Sequence, residues 1–152
     1  MNKIDLKTLT SIDDDFALWA AEQAALVRGG KFDRVDLENV AEELESLGRG
    51  DKYEIVHRLE VLLTHLLKWE FQPAKRSNSW RATISEQRYR IDNLLQESPS
   101  LKSHPGQSLR RAYILGLNDA ITQTGLPESA FPETCPYSIE QILDPDFLPG
   151  GL

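Results

Sequence analysis

The sequence contains a single cysteine, Cys135, and therefore cannot form an internal disulfide bond. Its first segment, MNKIDLKTLTSIDDD, lacks the apolar core of a secretory signal peptide. Its richest apolar run, VLLTHLL, is too short to span a bilayer. These absences argue against a secreted or membrane-spanning protein, and we expect a cytoplasmic protein with no membrane partner.

Basic residues are in deficit, with 17 Lys and Arg against 24 Asp and Glu and a formal net charge of −7. Nonspecific binding along a nucleic acid duplex usually needs a basic face, so this balance makes nucleic acid an unfavoured partner. Residues 13–60 hold 13 acids and 6 bases, whereas residues 61–125 hold 5 acids and 9 bases. Only the middle of the chain is therefore suited to attract an anion.

The sequence also lacks the common signatures of catalysis, including a phosphate-binding glycine loop, a dinucleotide fingerprint and a nucleophile elbow. Cys135 lies in a Pro-rich tail with no neighbour that would activate its thiolate. Glu54 and His57 have the spacing found in di-iron bundles, and Glu42 and Glu45 could add carboxylates. Such sites need two of these motifs, however, and the chain has one. We therefore expect no catalytic residue, no metal site and no cofactor.

Strand-like alternation of apolar and polar residues is absent, and helical spacing takes its place. A first helix is predicted to begin near Ser11 or Asp13, where Ser11 and Asp14 match a capping box, and to end at a glycine pair at 29–30. A second helix is predicted over residues 36–48. The inner faces expected for these two helices consist of Phe16, Trp19, Ala20, Gln23 and Val27, and of Leu37, Val40, Ala41, Leu44 and Leu47.

The third predicted helix is the longest, with Asp51 as its cap and Pro73 as its end. Its apolar residues step by 4, 3, 4 and 3, the spacing of a coiled-coil-like seam. They are Ile55, Leu59, Leu62, Leu66 and Trp69. Further apolar residues widen this seam, so we expect the helix to pack against two or more partners.

Two more helices and a tail complete the chain. The fourth helix begins between Ser77 and Ser79, and the fifth runs from about residue 109 to residue 124. The inner face of the fourth helix is predicted to hold Trp80, Ile84, Ile91 and Leu95, with Gln87 at the intervening position.

Residues 126–152 hold five of the eight prolines, which favours an extended strap over the bundle. Ser138 and Gln141 predict a capping box for one short helix within this strap. Residues 1–10 are expected to form a loose arm. We therefore predict a single all-α domain over residues 1–152, a compact bundle of about five main helices with a C-terminal strap.

The segment KWEFQPAKRSNSWR, residues 68–81, admits two interpretations. As a corner between helices, Pro73 ends one helix, a serine caps the next, and Trp69 and Trp80 pack across the turn. As a binding site, free N–H groups at a helix N-terminus and nearby cations could hold a phosphate or sulfate. The candidate anion-binding residues are Lys75, Arg76, Ser77, Ser79 and Arg81. We expect the corner to be primarily structural.

Four segments carry a resemblance to a known family. They are DFALWAAEQAALVRGGKFDRVDLENVAEELESLG, RLEVLLTHLLKWEFQPAKRSNSWRATISEQRYRI, LLQESPSL and FPETCPYSIEQILDPDFLP. In order and spacing they resemble the bacterial family known as domain of unknown function 29, over about residues 13–149. The resemblance implies an all-helical fold and no accepted activity. Pro105 and Gly106 stand where such proteins often continue helically.

No catalytic pattern is present, so we expect a non-enzymatic interaction or accessory protein. Its expected working surfaces are the broad apolar third helix and the acidic second helix, with a protein partner or a second copy as the occupant. The alternative function is a small nucleic-acid- or phospholigand-binding module that uses the basic corner at residues 75–81.

Overall fold

The computed structural model describes residues 8–151, and the regular structure of that span is entirely helical. Five α-helices occur: α1 Phe16–Arg28, α2 Leu37–Phe71, α3 Asn78–Glu97, α4 His104–Thr124 and α5 Ile139–Leu143. No strand occurs among these described residues, so the all-α class is confirmed. Residues 1–7 of the expected loose arm lie outside the described residues. Thr10, by contrast, is held by its N–H and hydroxyl, which both donate to Glu22 at 2.8 Å.

Helix α2 is one continuous helix of 35 residues, about 50 Å long. The prediction of a stop at Gly48 and a new start at Asp51 was therefore wrong. Neither Gly48 nor Gly50 adopts the left-handed conformation that ends a helix. A glycine inside a helix costs only about 1 kcal/mol relative to alanine, which the surrounding helix-forming residues offset.

The chain divides into two compact units, Met1–Arg49 and Gly50–Leu152, and α2 begins in the first and ends in the second. The assignment of a single domain stays a prediction. The first unit holds α1 and the start of α2. Its α1 is capped by Asp15, whose Oδ1 accepts from the N–H of Leu18 at 3.0 Å, rather than by Ser11 as predicted.

The core of the first unit is small, with Trp19, Gln23 and Leu26 as the buried residues of α1. Trp19 Nε1 donates to Asp36 Oδ2 at 3.1 Å, and the N–H of Asp36 donates to Gln23 Oε1 at 2.7 Å. Asn39 also donates to the Asp36 carboxylate, and this hydrogen bond is the main reason that the pKa of Asp36 is lowered. Two polar side chains of α1 thus fix the point where α2 begins.

The second unit is built around the C-terminal half of α2. Its predicted seam is confirmed as buried: Ile55, Leu59, Leu62 and Leu66 are each 0% exposed, and Trp69 is 6% exposed. Helix α3 adds Ile84 and Ile91 to this core, and α4 adds Ala112, Tyr113 and Ala120. These residues form one apolar cluster, so α2, α3 and α4 share a common core.

Helices α2 and α4 approach most closely at Gly116. A Cβ at this position would lie 3.0 Å from the carbonyl oxygen of Glu60 and 3.1 Å from Leu63 Cβ. Thr64 lies beside them, and its hydroxyl is 3.2 Å from the Gly116 carbonyl oxygen, which accepts the bond. The absence of a side chain at Gly116 is therefore what allows the two helices to meet.

Helix α4 begins at His104, earlier than the predicted start at residue 109, and Pro105 lies in its first turn. Proline suits that turn because its missing N–H would have no partner there. The helix ends as predicted at Gly125, which adopts a left-handed conformation with φ of 71°.

The C-terminal strap packs against α2, α3 and α4, and buries Phe131, Tyr137 and Ile142. Its short helix α5 has the predicted capping box between Ser138 and Gln141. The Tyr137 hydroxyl donates to Glu70 Oε2 at 2.5 Å, and burial is the main reason that the pKa of Tyr137 is raised.

Arg88 of α3 is the buried cation that binds the strap. It is 6% exposed, and it donates to the carbonyl oxygens of Ile142 at 2.7 Å and Phe147 at 2.8 Å. Burial lowers the pKa of Arg88, while Asp144 and Asp146 partly oppose this shift. The sequence analysis placed Gln87 at this point of the inner face and missed Arg88.

We predict that Gly116→Ala destabilises the protein by about 1–3 kcal/mol, because the new methyl group overpacks the contact between α2 and α4. The control is Gly50→Ala, where an added Cβ meets nothing within 4 Å inside a continuous helix. This control should stabilise the protein by about 0.5–1 kcal/mol. Urea denaturation followed by circular dichroism measures both changes. A loss of stability in Gly50→Ala would show that α2 is interrupted there.

We predict that Arg88→Met lowers the free energy of unfolding by about 2–4 kcal/mol, because buried carbonyl oxygens of the strap lose their donors. The control is Arg90→Met, which removes a half-exposed ion pair with Glu86 at 3.0 Å. It should cost less than about 0.5 kcal/mol. Urea denaturation measures the difference, and limited proteolysis should cut residues 126–151 faster in Arg88→Met alone. Equal losses in the two variants would contradict the role given to Arg88.

Candidate functional site

The basic corner of the second unit connects α2 to α3. A 3₁₀ turn, Pro73–Lys75, follows the end of α2, and Ser77 then caps α3 by accepting from the N–H of Trp80 at 3.2 Å. The predicted start of this helix between Ser77 and Ser79 is therefore confirmed. The corner takes its shape from local physics, since proline ends one helix and a serine hydroxyl opens the next.

Arg76 is committed to this corner. Its Nε donates to the carbonyl oxygen of Trp69 at 2.8 Å, and its Nη1 to that of Gly151 at 3.3 Å. The Trp69 carbonyl belongs to the last turn of α2, where carbonyl oxygens lack helical partners and cations are favoured. Its guanidinium carbon lies 5.0 Å from the centre of the Trp69 ring, and that of Arg81 lies 5.4 Å from it. Two cations therefore stack on one buried aromatic ring.

An open cavity of about 710 Å³ lies at this corner. Its lining consists of Trp69, Arg76, Ser77, Asn78, Arg81, Asp146, Leu148 and Gly151. Of the predicted anion-binding residues, the structure brings Arg76, Ser77 and Arg81 together here, whereas Lys75 and Ser79 are exposed and do not line the cavity. Asn78 and Asp146 are polar lining residues that the sequence analysis missed. The cavity has mixed charge, and Arg76 already donates to carbonyl oxygens.

Trp80 lies on the same corner but is only partly buried. Lys68 Nζ is 4.6 Å from the centre of its ring and donates to Gln123 Oε1 at 2.9 Å. Burial lowers the pKa of Lys68. This cation therefore packs between α2, α3 and α4 and does not face the cavity lining.

Glu54 and His57, which were considered for metal binding, have other partners. Glu54 pairs with Arg58 at 2.8 Å, and His57 Nδ1 lies 3.5 Å from Glu60 Oε2. Within residues 8–151, no group of three or more His, Cys, Asp or Glu side chains could hold a metal ion. Burial raises the pKa of Cys135, which favours the unreactive thiol over the thiolate.

A second concavity lies within the first unit, between α1 and the start of α2, and has a volume of about 310 Å³. We name it the N-terminal groove. Its lining consists of Trp19, Ala20, Gln23, Ala24, Val27 and Arg28 from α1, and of Val40, Glu43, Leu44 and Leu47 from α2. It is therefore largely apolar. Leu44 and Leu47 are 64% and 71% exposed.

The exposure of this groove corrects two predictions. The apolar residues of the second predicted helix were assigned to an inner face, yet Leu37, Leu44 and Leu47 are exposed. A pair of helices can cover only part of each apolar stripe, and the remainder faces outward. The third predicted helix was assigned to a working surface, yet its seam is buried within the second unit. Most of the exposed large apolar side chains among residues 8–151 lie on the first unit instead.

The span of sequence that contains the N-terminal groove is acidic. Residues 8–49 contain ten acidic and four basic residues, a net charge of −6. The ion pairs of this span join Arg34 to Asp33 and Arg49 to Glu45. Glu38, Glu42 and Glu43 of α2 form no ion pair with any residue between 8 and 151. The first unit is thus net acidic, and Glu43 and Arg28 are the charged residues of an otherwise largely apolar lining.

None of the helices within residues 8–151 combines the length and the apolar character needed to cross a bilayer.

Comparison with known proteins gives a family and nothing further. No curated protein and no solved structure matches the chain. A family model does match, over residues 12–148, and its range takes in both units and most of the strap. The chain therefore belongs to the family described as domain of unknown function DUF29.

Proposed function

We propose that this chain is a non-enzymatic interaction protein and that the N-terminal groove is its working surface. The observation that carries the proposal is the exposure of Leu44 and Leu47, at 64% and 71%, on the wall of a defined groove. Full burial of a leucine side chain stabilises a complex by about 1.5–3 kcal/mol, so covering this pair favours association. Contiguous apolar surface of this kind marks sites of interaction.

The internal use of the reactive side chains supports a role without catalysis. Tyr137 donates to Glu70, and the thiol of Cys135 has a raised pKa. The Tyr113 hydroxyl donates to the carbonyl oxygen of Pro132, and burial raises the pKa of Tyr113 to about 12. These groups stabilise the strap. The single cysteine further supports a cytoplasmic location, where thiols stay reduced.

Crosslinking in cells that make the protein tests this function. A photoreactive amino acid at position 47 should give a discrete adduct with a protein, because Leu47 lines the groove. The control position is Ile114 of α4, which is also apolar and 53% exposed but belongs to the second unit. We expect no matching adduct from position 114. Absence of an adduct at position 47, or the same adducts from both positions, would contradict the proposal.

A second candidate function is the binding of a phospholigand or single-stranded nucleic acid at the basic corner. It is supported by the cavity of about 710 Å³, by the N-terminus of α3 and by Arg81, which has no ion pair among residues 8–151. Asp146 in the lining and the carbonyl contacts of Arg76 argue against it. We rank it below the interaction role.

Titration by tryptophan fluorescence separates the two functions, because Trp69 lines the cavity. We expect no saturable response to a nucleoside triphosphate or to single-stranded RNA. The second candidate predicts a saturable response whose affinity weakens steeply with salt and is at least tenfold lower in Arg81→Gln. Lys75→Gln is the matched control, since Lys75 is exposed and outside the lining. A salt-sensitive response lost in Arg81→Gln alone would favour the second candidate over our proposal.

A further inference from the structure

We infer that the N-terminal groove receives an amphipathic helix of a partner protein, one whose apolar face is flanked by lysine or arginine residues. This inference rests on the proposed function and adds the chemistry of the partner. Three features of the first unit carry it: the shape of the groove, the net charge of residues 8–49 and the charge that a second copy would bring.

The shape of the groove suits a helix. Leu44 and Leu47 are three residues apart on α2, so their side chains lie on one face. Ala20 and Ala24 are four residues apart on α1, and their short side chains leave room along the opposite wall. Side-chain ridges of a third helix can pack into such a furrow. An apolar stripe at helical spacing is therefore the complement of this surface.

The acidic excess of the first unit selects the flanks of that helix. Glu43 lines the groove, whereas Glu38 and Glu42 lie on the face of α2 opposite Leu44 and Leu47. All three lack an ion-pair partner among the described residues, which leaves their charge available to a ligand. Arg28 is the basic residue of the lining, but four basic residues face ten acidic ones over residues 8–49. A basic partner gains complementary pairs here, and an acidic one meets repulsion.

The acidic excess belongs to the first unit. Residues 50–151 contain 13 acidic and 11 basic residues, which is close to balance. Two copies joined through the groove would bring two spans of net charge −6 together, and juxtaposed like charges oppose association. Anionic lipid and nucleic acid carry the same unfavourable sign. A basic amphipathic helix is thus the occupant that complements both the apolar wall and the acidic excess of the first unit.

The test uses the full chain and two fluorescent peptides of about 15–20 residues, long enough to form a helix on binding. Both carry leucines at helical spacing, and the other positions are lysine in one and glutamate in the other. Fluorescence anisotropy should show the lysine peptide binding at least tenfold more tightly. Leu44→Ser with Leu47→Ser should abolish this binding, and both positions are exposed enough to be changed without loss of the fold.

Two matched triple variants test whether the lysine peptide responds to the charge of the first unit or to negative charge anywhere on the protein. Glu38→Gln, Glu42→Gln and Glu43→Gln together should weaken the lysine peptide at least fivefold. The control variant carries Glu128→Gln, Glu133→Gln and Glu140→Gln, which remove three exposed carboxylates of the second unit. It should bind as the wild type does. Equal weakening by both triple variants, or binding that survives the two serine substitutions, would overturn the inference.

Other outcomes distinguish this inference from the proposed function. Equal binding of the two peptides would refute the basic partner, yet crosslinking at position 47 would still support an interaction role. Sedimentation that shows a dimer of the wild type, lost in the double serine variant, would make a second copy the occupant and overturn the inference alone. Failure of crosslinking at position 47 would remove the proposed function itself.

Discussion

The buried guanidinium of Arg88 is the interaction on which the second unit most depends. It lies on α3 and donates to carbonyl oxygens of the strap, including that of Ile142 in α5. A charge in this position loses its hydration, and hydrogen bonds must replace it. The end of α5 provides one of them, because its last carbonyl oxygens have no helical partner, and Phe147, beyond α5, provides another. The hydrogen bonds of Arg88 therefore satisfy both the buried cation and a carbonyl oxygen at the end of α5. The strap that it holds then covers the apolar core of α2, α3 and α4.

The two units use their apolar residues differently. In the second unit the seam of α2 is covered by α3, α4 and the strap, and Gly116 lets α4 approach closely. In the first unit, α1 buries Trp19, Gln23 and Leu26, while Leu44 and Leu47 of α2 stay exposed. Incomplete burial costs hydrophobic free energy that a partner can recover. The proposed interaction surface therefore lies where packing is least complete.

The sequence predicted local features well and their partners poorly. The seam from Ile55 to Trp69, the Ser77 cap and the Ser138 capping box were all correct, because spacing and short-range hydrogen bonds determine them. Periodicity shows which face of a helix is apolar, but it cannot show whether another element covers that face. For this reason the exposed leucines of α2 were assigned inward. Arg88 was missed for a related reason. A charged residue is expected to face solvent, even at the spacing of the apolar face, and the acceptors that allow Arg88 to be buried are distant in sequence. At the corner, the chain bend brought Arg76, Ser77 and Arg81 together but left Lys75 and Ser79 outside.

The partners of the charged side chains support the proposal that the acidic first unit is the interaction surface. Arg88 binds strap carbonyls, Arg76 binds the end of α2, Lys68 packs on Trp80, and Arg58 pairs with Glu54. These cations lie in the second unit and serve its internal structure, so part of the basic excess of residues 61–125 is used within the fold. Glu43, in the lining of the N-terminal groove, has no ion-pair partner among residues 8–151. A charge with no partner within the chain remains available to a ligand, and this one stands beside exposed leucines.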